Sequence, residues 1–203
     1  MADYSKLDHL SLKAQKEGYP ARSVYKLKEM DEKFSLLPKG SSQFKVLDLG
    51  AAPGSWSLYI LRKQKSLSLV SVDLSPLSRQ FDAGLFEKQG FTFIQGDFTQ
   101  SEIREAILAA GPYNLVVCDA APATSGNRSL DTLRSLDLAE IALDYAETTL
   151  AEGGNFVVKV FQGGDTGTLL KSIRAQFKTG RSFKPEACRQ ESFETYYLGL
   201  GKK

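Results

Sequence analysis

One histidine and two cysteines are all that these 203 residues offer to chemistry built on imidazole or thiolate. There is no C-x-x-C and no histidine pair, so a zinc site lacks ligands and no metal is expected. A Ser-His-Asp hydrolase would have to use His9, which lies in a polar amphipathic start that reads as a solvated helix face. The cysteines, Cys118 and Cys188, make no disulfide framework. Cys118 sits in the apolar run NLVVCDA, where a buried reduced thiol is the simpler reading, and a cytoplasmic location is the expectation. No run of about 18 apolar residues occurs, so no spanning helix and no membrane partner are expected. The start, MADYSKLDHLSLKAQKEGYP, has no apolar segment of the kind a secretory leader needs. Without a linker, repeat or low-complexity tract, residues 1–203 read as one domain.

Charge is scarce in net and uneven in place. Residues 1–39 carry eight Lys/Arg against six Asp/Glu, and 171–203 carry eight against three, while 40–170 carry ten against fifteen. A neutral-to-acidic body with basic ends suits a neutral or cationic ligand at the centre and a polyanion at the periphery. Lysines that merely solvate surface helices would give the same counts.

What is present is an alternation of strands and helices. Residues 1–40 read as a helical extension, with Val24, Leu27, Met30, Phe34 and Leu37 at helical spacing before Pro38 and Gly40. FKVLDLG is a strand, and PGSWSLYILRKQK a helix opening on Pro53. LSLVSVDLS is a second strand, and a helix is expected over 78–88, weakened by Gly84. FTFIQGD is a third strand, and SEIREAILAAG a helix capped by Ser101 and ended by Gly111. YNLVVCDAAP is a fourth strand. A long helix over 130–150 is predicted to stop at Gly153 and Gly154. A fifth strand holds Lys159, TGTLLKSIRAQFK is a helix, and strands near 181–184 and 195–200 finish the chain. Such alternation predicts an α/β fold with a doubly wound, mostly parallel seven-stranded sheet.

In such sheets ligands bind beyond the carboxyl ends of the strands. The first strand runs into VLDLGAAPGSW, where Gly50 and Gly54 allow close backbone approach. This is not G-x-G-x-x-G, so no pyrophosphate is called for. The second strand ends at Asp73, suited to a ribose diol. The third ends at Asp97 and Phe98, a carboxylate beside a ring, suited to an adenine. The fourth ends at Asp119. Singly, each aspartate reads as a cap or turn former; together they read as a nucleoside site. Asp48 lies before the turn and is expected to be buried and paired with backbone N–H groups. Lys159 stands in the otherwise apolar NFVVKVFQGG, where burial costs a lysine its hydration unless it is paired.

VLDLGAAPGSW, SVDLSP, QGDF, VVCDAAP and FVVKVFQG, in this order, resemble the FtsJ/RrmJ ribose 2′-O-methyltransferases, which use S-adenosylmethionine. ARSVYKLKEM before the sheet and KPEACRQESFETYYLG after it extend the resemblance over nearly the whole chain. It implies a Rossmann-like methyltransferase fold and a Lys-Asp-Lys-Glu tetrad carried by Lys26, Asp119, Lys159 and Glu194. It places Gly54, Trp56, Asp73, Asp97 and Asp119 at cofactor-binding positions, beside Gly50 and Phe98 from the strand ends. Ser55, DAAPA (with Ala121 and Ala123) and Cys188 depart from the family pattern without removing a tetrad member. The resemblance implies an RNA substrate, a uridine of large-subunit (23S-type) ribosomal RNA in the assembled subunit, with a monomeric enzyme. Transfer RNA is the alternative substrate. Arg22, Lys28, Lys184 and Arg189, in the basic ends, are the candidate RNA contacts, binding phosphate without reading sequence.

Methyl transfer to a ribose hydroxyl is an in-line displacement that needs positioning and the loss of one proton. Lys159 has two open roles: a general base, or a fixed cation that orients the hydroxyl and stabilises the developing alkoxide. DAAPA lacks the paired prolines and aromatic of an amino-group methyltransferase. Cys118 is poorly placed to serve a base-carbon methyltransferase. An RNA-binding ribosome assembly factor without catalysis on the same fold is the remaining competitor.

Overall fold

The computed structural model describes residues 8–38, 43–64, 66–163, 166–189 and 191–203. Seven strands form one sheet in the order β3-β2-β1-β4-β5-β7-β6. β1 (Lys45–Leu49), β2 (Ser68–Asp73), β3 (Phe91–Gln95), β4 (Tyr113–Cys118) and β5 (Leu150–Phe161) are parallel. β7 (Glu194–Lys202) inserts antiparallel between β5 and β6 (Phe177–Phe183). The chain leaves β1 toward β2 on one side and returns to β4 on the other. A crevice therefore opens beyond the carboxyl ends of β1 and β4, where an α/β sheet takes its ligands.

Side chains alternate between the two sheet faces, and each face buries its own core. Val117, Val157, Tyr196 and Leu198 pack with Leu27 and Met30 of α2 (Val24–Phe34) and with Trp56, Leu58 and Ile60 of α3 (Ser55–Lys63). Val116, Phe156, Val158 and Val160 pack with Ala142, Tyr145 and Ala146 of α5 (Arg128–Thr149) and Ile173 of α6 (Thr166–Gln176). Lys159 shares its parity with Val157. It is thus turned to the face covered by the N-terminal helices, where Lys26 resides.

The helical extension is two helices, α1 (His9–Lys16) and α2, separated at Gly18, Tyr19 and Pro20. Asp8 caps α1 by accepting from the Ser11 N–H at 2.8 Å, and His9 is exposed on that helix as expected. Residues 39–40, expected to close the extension, lie outside the described residues.

Several boundaries move. The helix expected over 78–88 is only a 3-10 turn at Leu85–Glu87, because Ala83 and Gly84 both take positive φ and interrupt it. α3 starts at Ser55 rather than Pro53, with Gly54 (φ 106°) as its N-cap. α4 (Ser101–Ala109) is capped by the backbone of Gln100, and Ser101 is already helical. α5 begins at Arg128, where the Asn127 side chain accepts from the N–H groups of Ser129 and Leu130. It gives way directly to β5 at Leu150, so Gly153 and Gly154 lie within the strand, beside a register shift against β4. β6 is longer than 181–184, and β7 is buried from Thr195 to Tyr197 alike because strands flank it on both sides.

Candidate active site

The crevice is a pocket of about 770 Å³ whose walls include Gly50, Ala52, Asp73, Leu74, Asp97 and Asp119. Two of the carboxylates, Asp73 and Asp97, are held by backbone N–H groups. Asp73 accepts from the N–H of Ala52 (2.9 Å) and of Ser75 (2.8 Å), tying the end of β2 to the turn after β1. Asp97 accepts from the Thr99 N–H (2.9 Å), which holds its carboxyl below the ordinary carboxylate range. Phe98 also lines the pocket, though its ring is largely buried, edge-on to Tyr145. At Gly50 φ is +74°, and a Cβ there would stand 2.6 Å from the Ala120 backbone. The β1 and β4 turns meet too closely for any side chain, which leaves a bare backbone wall.

Gly54 and Trp56 stand apart from this pocket. A Cβ on Gly54 would meet the Phe86 ring at 2.9 Å. The Trp56 indole is buried, donates to the Ser23 carbonyl at 2.8 Å and packs 5.9 Å from the Tyr196 ring. Ser55, one of the departures from the family pattern, accepts from the Ala21 N–H at 2.8 Å. The start of α3 therefore anchors the N-terminal extension to the sheet.

The four tetrad side chains converge from four distant places in the chain. Lys159 Nζ lies 3.1 Å from Asp119 Oδ1 and also donates to the Asp119 backbone carbonyl. Lys26 Nζ lies 2.8 Å from Glu194 Oε1. Lys159 is only 8% exposed, so this pairing offsets the loss of its hydration. Tyr196 couples the two pairs: its hydroxyl donates to Asp119 Oδ1 at 2.7 Å, and its ring lies 5.9 Å from Lys26 Nζ. Burial works against the Lys26 charge, but Asp119 and Glu194 outweigh it and raise its pKa above the ordinary lysine value. Burial, with Asp119 and Glu194, pushes the Tyr196 hydroxyl well above its usual pKa, so it serves as a donor.

The sequence placed Tyr196 only within the last predicted strand, near 195–200, and did not single it out. The signal was available, since Tyr196 follows Glu194 by two residues and so shares its face. Arg134 and Asp137 of α5, which line the pocket, carried no such signal.

Asp48 corrects an expectation. It is fully buried within β1, yet it pairs with no backbone N–H; one oxygen accepts from the Ser57 hydroxyl at 2.7 Å and the other has no partner. Burial raises its pKa to about 7. Both cysteines are free, and burial pushes each thiol up to about 12, which suits neither to act as a nucleophile.

A second cleft of about 430 Å³ opens on the other side of the tetrad, lined by Arg22, Lys26, Arg189, Ser192, Phe193 and Glu194, among others. Arg22 and Arg189 both pair with Asp8, and Arg22 also donates to the Ala187 carbonyl. Lys184 is exposed and donates to the Ser192 carbonyl at 2.7 Å. Lys28 is not brought to this cleft. Two residues on from Lys26, it projects about 200° around the helix, into a hollow with Glu29, Glu32 and Glu186. Among the described residues no group of three or more His, Cys, Asp or Glu side chains is placed to hold a metal ion.

Together the sheet order, the carboxylate-lined crevice and the buried lysine define a Rossmann-like methyltransferase. The model of the FtsJ-like methyltransferases matches residues 19–202, and the chain belongs to that family. It is 52% identical over 201 residues to a ribosomal RNA large subunit methyltransferase E of Treponema denticola, covering 98% of this chain and 97% of that one. A protein of the same name from Nitratidesulfovibrio vulgaris (strain Miyazaki F) is 48% identical over 197 residues, covering 96% and 94%. Among solved structures, a crystal structure described as a ribosomal RNA methyltransferase from Plasmodium falciparum superposes with a TM-score of 0.73. It is 25% identical and covers 91% of this chain and 98% of that one.

Proposed function

We propose that this enzyme methylates a ribose 2′-hydroxyl of large-subunit ribosomal RNA, with S-adenosylmethionine as donor. One observation carries the reading: the paired tetrad stands between two clefts. Asp119 lines the carboxylate-walled pocket, while Lys26 and Glu194 line the basic one. A donor on one side and a ribose on the other would meet at Lys159. The names of the relatives from Treponema and Nitratidesulfovibrio supply the RNA.

The residues present fit the cofactor. The bare backbone at Gly50 admits a ligand edge, Asp73 suits a ribose diol, and Asp97 suits an adenine amino group. When bound, S-adenosylmethionine supplies an electrophilic methyl group on a sulfonium. The chain has then to hold one hydroxyl in line and dispose of its proton. Asp119 engages Lys159 through its carboxylate and its carbonyl, which leaves one ammonium hydrogen for the ribose oxygen. Of the two roles left open by the sequence, this resting geometry favours the orienting cation, which stabilises the alkoxide as it develops while the hydroxyl proton passes to solvent and the sulfur leaves as the neutral thioether. Lys26, fixed by Glu194, adds a second positive charge nearby. A pH–rate profile separates the roles. A cation role predicts that Lys159→Arg retains measurable activity with the wild-type pH dependence. Loss of both the activity and one ionisation would make Lys159 the base.

Arg22, Arg189 and Lys184 border the RNA path in this reading, and Lys28 stands outside it. A phosphate would compete with Asp8 for Arg22 and Arg189. The reading carries with it a single domain acting as a monomer in the cytoplasm, without a metal. Among the described residues no helix is long and apolar enough to cross a membrane. The test is mass spectrometry of digested ribosomal and transfer RNA from cells lacking the gene. One 2′-O-methyl group should vanish from large-subunit RNA; a loss from transfer RNA instead would overturn the choice of substrate.

A further inference from the structure

Beyond the tetrad, at the rim of the basic cleft, stands a group of side chains to which the reaction itself assigns no task. Phe193 lines the cleft next to Glu194. Its ring lies 4.8 Å from that of Phe161, edge-on at 63°, and the Arg128 guanidinium sits 5.0 Å from the Phe193 ring centroid. The Gln162 N–H donates to the Phe193 carbonyl at 2.8 Å, pinning the ends of β5 and β7 together beneath the rings. Phe161 is paired with Glu194 across the two strands and lies two residues beyond Lys159. Both phenylalanines are half-buried and Arg128 is exposed. The Phe193 ring thus lines the cleft with the exposed Arg128 guanidinium set against it, a flat apolar surface beside a planar cation.

We propose that Phe193 and Arg128 form the seat of an unpaired RNA base, which stacks on the ring with the guanidinium closing over its other face. This rests on the RNA reading above. Aromatic rings and arginine planes are the surfaces on which proteins hold unstacked bases. The group lies one residue from Glu194 and two from Lys159, within a nucleotide's reach of the ribose the tetrad would hold. Admitting a base requires Arg128 to back away from 5.0 Å to roughly 7 Å, two stacking distances. An exposed, unbranched side chain at the first position of α5 can make that movement. Phe161 keeps the Phe193 ring upright from behind. Stacking of this kind favours a nucleotide already out of a duplex and is indifferent to which base it is.

The test is steady-state methylation of large ribosomal subunits isolated from cells lacking the gene. Phe193→Leu, which keeps apolar bulk, and Phe193→Ala should each raise KM for the subunit by about tenfold to a hundredfold, with kcat and S-adenosylhomocysteine affinity little changed. Phe193→Tyr should restore KM. Arg128→Ala should raise KM less, and Arg128→Lys should not rescue it, since an ammonium cannot stack as a plane. Both effects should leave the salt dependence of KM as in the wild type, whereas loss of a phosphate contact would flatten it. An unchanged KM in Phe193→Leu would overturn the proposal. So would a fall in kcat alone across the Phe193 series, which would make the ring a prop for Glu194. A wild type that leaves the subunit unmethylated would count against the RNA reading itself, and the seat would fall with it.

Discussion

The two clefts on either side of Lys159 are built in opposite ways. The carboxylate-walled pocket is local: Asp73 and Asp97 bind N–H groups two residues further on, and Asp73 also binds the neighbouring turn at Ala52. Side-chain carboxylates hold nearby backbone here, although Asp119 and residues of α5 complete the pocket wall. The tetrad and its basic cleft are assembled over long range. Lys26, Asp119, Lys159 and Glu194 come from α2, the end of β4, β5 and β7, and ion pairs with one tyrosine hydroxyl join them. A pocket of the first kind comes ready-made with the sheet, whereas one of the second kind exists only when the whole fold has closed. The proposed cofactor site thus rests mainly on contacts near the strand ends, and the proposed catalytic group on long-range pairing.

Substitutions can pull the two halves apart. Gly50→Ala should strike the local half hardest, since its Cβ would collide with the Ala120 backbone at a positive φ. Strain of this kind costs about 1–3 kcal/mol of stability, and because the Cβ would push the Ala120 turn out of the pocket wall, affinity for S-adenosylhomocysteine should fall too, read by calorimetry. The Lys26–Glu194 pair lies on the other side, so a substitution there should reverse the pattern. Glu194→Gln removes one of the two carboxylates that sustain the Lys26 charge, and kcat should fall at least about tenfold with cofactor affinity kept. If cofactor affinity fell as well, the two regions would not be independent.

Tyr196→Phe is a finer probe. It deletes one buried hydrogen bond to Asp119, worth roughly 1–2 kcal/mol, and should lower kcat by about tenfold while KM holds. Asp48 tests the pocket's foundation by pH. Its pKa is raised from 3.8 to about 7, so between those values the folded chain keeps a proton that the unfolded chain has released. Stability therefore falls as pH rises through that window and levels off above it. The ceiling is on the order of 4 kcal/mol. Asp48→Asn should flatten denaturation midpoints measured between pH 5 and 8; an unaltered slope would assign the dependence to other groups.

The same contrast governs what the sequence revealed. Turns that follow strands are local, so Gly50, Asp73, Asp97 and Asp119 could be placed from the order of strands alone. Lys159 stood out because an apolar run makes a charge conspicuous. Lys26 and Glu194 are ordinary residues on a helix and a strand, and only the family resemblance singled them out, because no local pattern records a partner some 170 residues away. Trp56 shows the converse, since its motif position suggested the cofactor while the indole packs under Ser23 and Tyr196. Lys28 was grouped with Arg22 by charge, but helix geometry turns it elsewhere. The helix expected over 78–88 failed at Ala83, whose positive φ nothing in its chemistry announces.

The most direct test is made on large subunits from cells lacking the gene, incubated with S-adenosylmethionine and either wild-type enzyme or Lys159→Ala. The nucleosides are then resolved by mass spectrometry. The account predicts one 2′-O-methylated nucleoside in large-subunit RNA with the wild type and a signal at least about a thousandfold slower to appear with the variant, although the variant binds S-adenosylhomocysteine as tightly. Equal methylation by the two proteins, or a methyl group carried on a base, would contradict it.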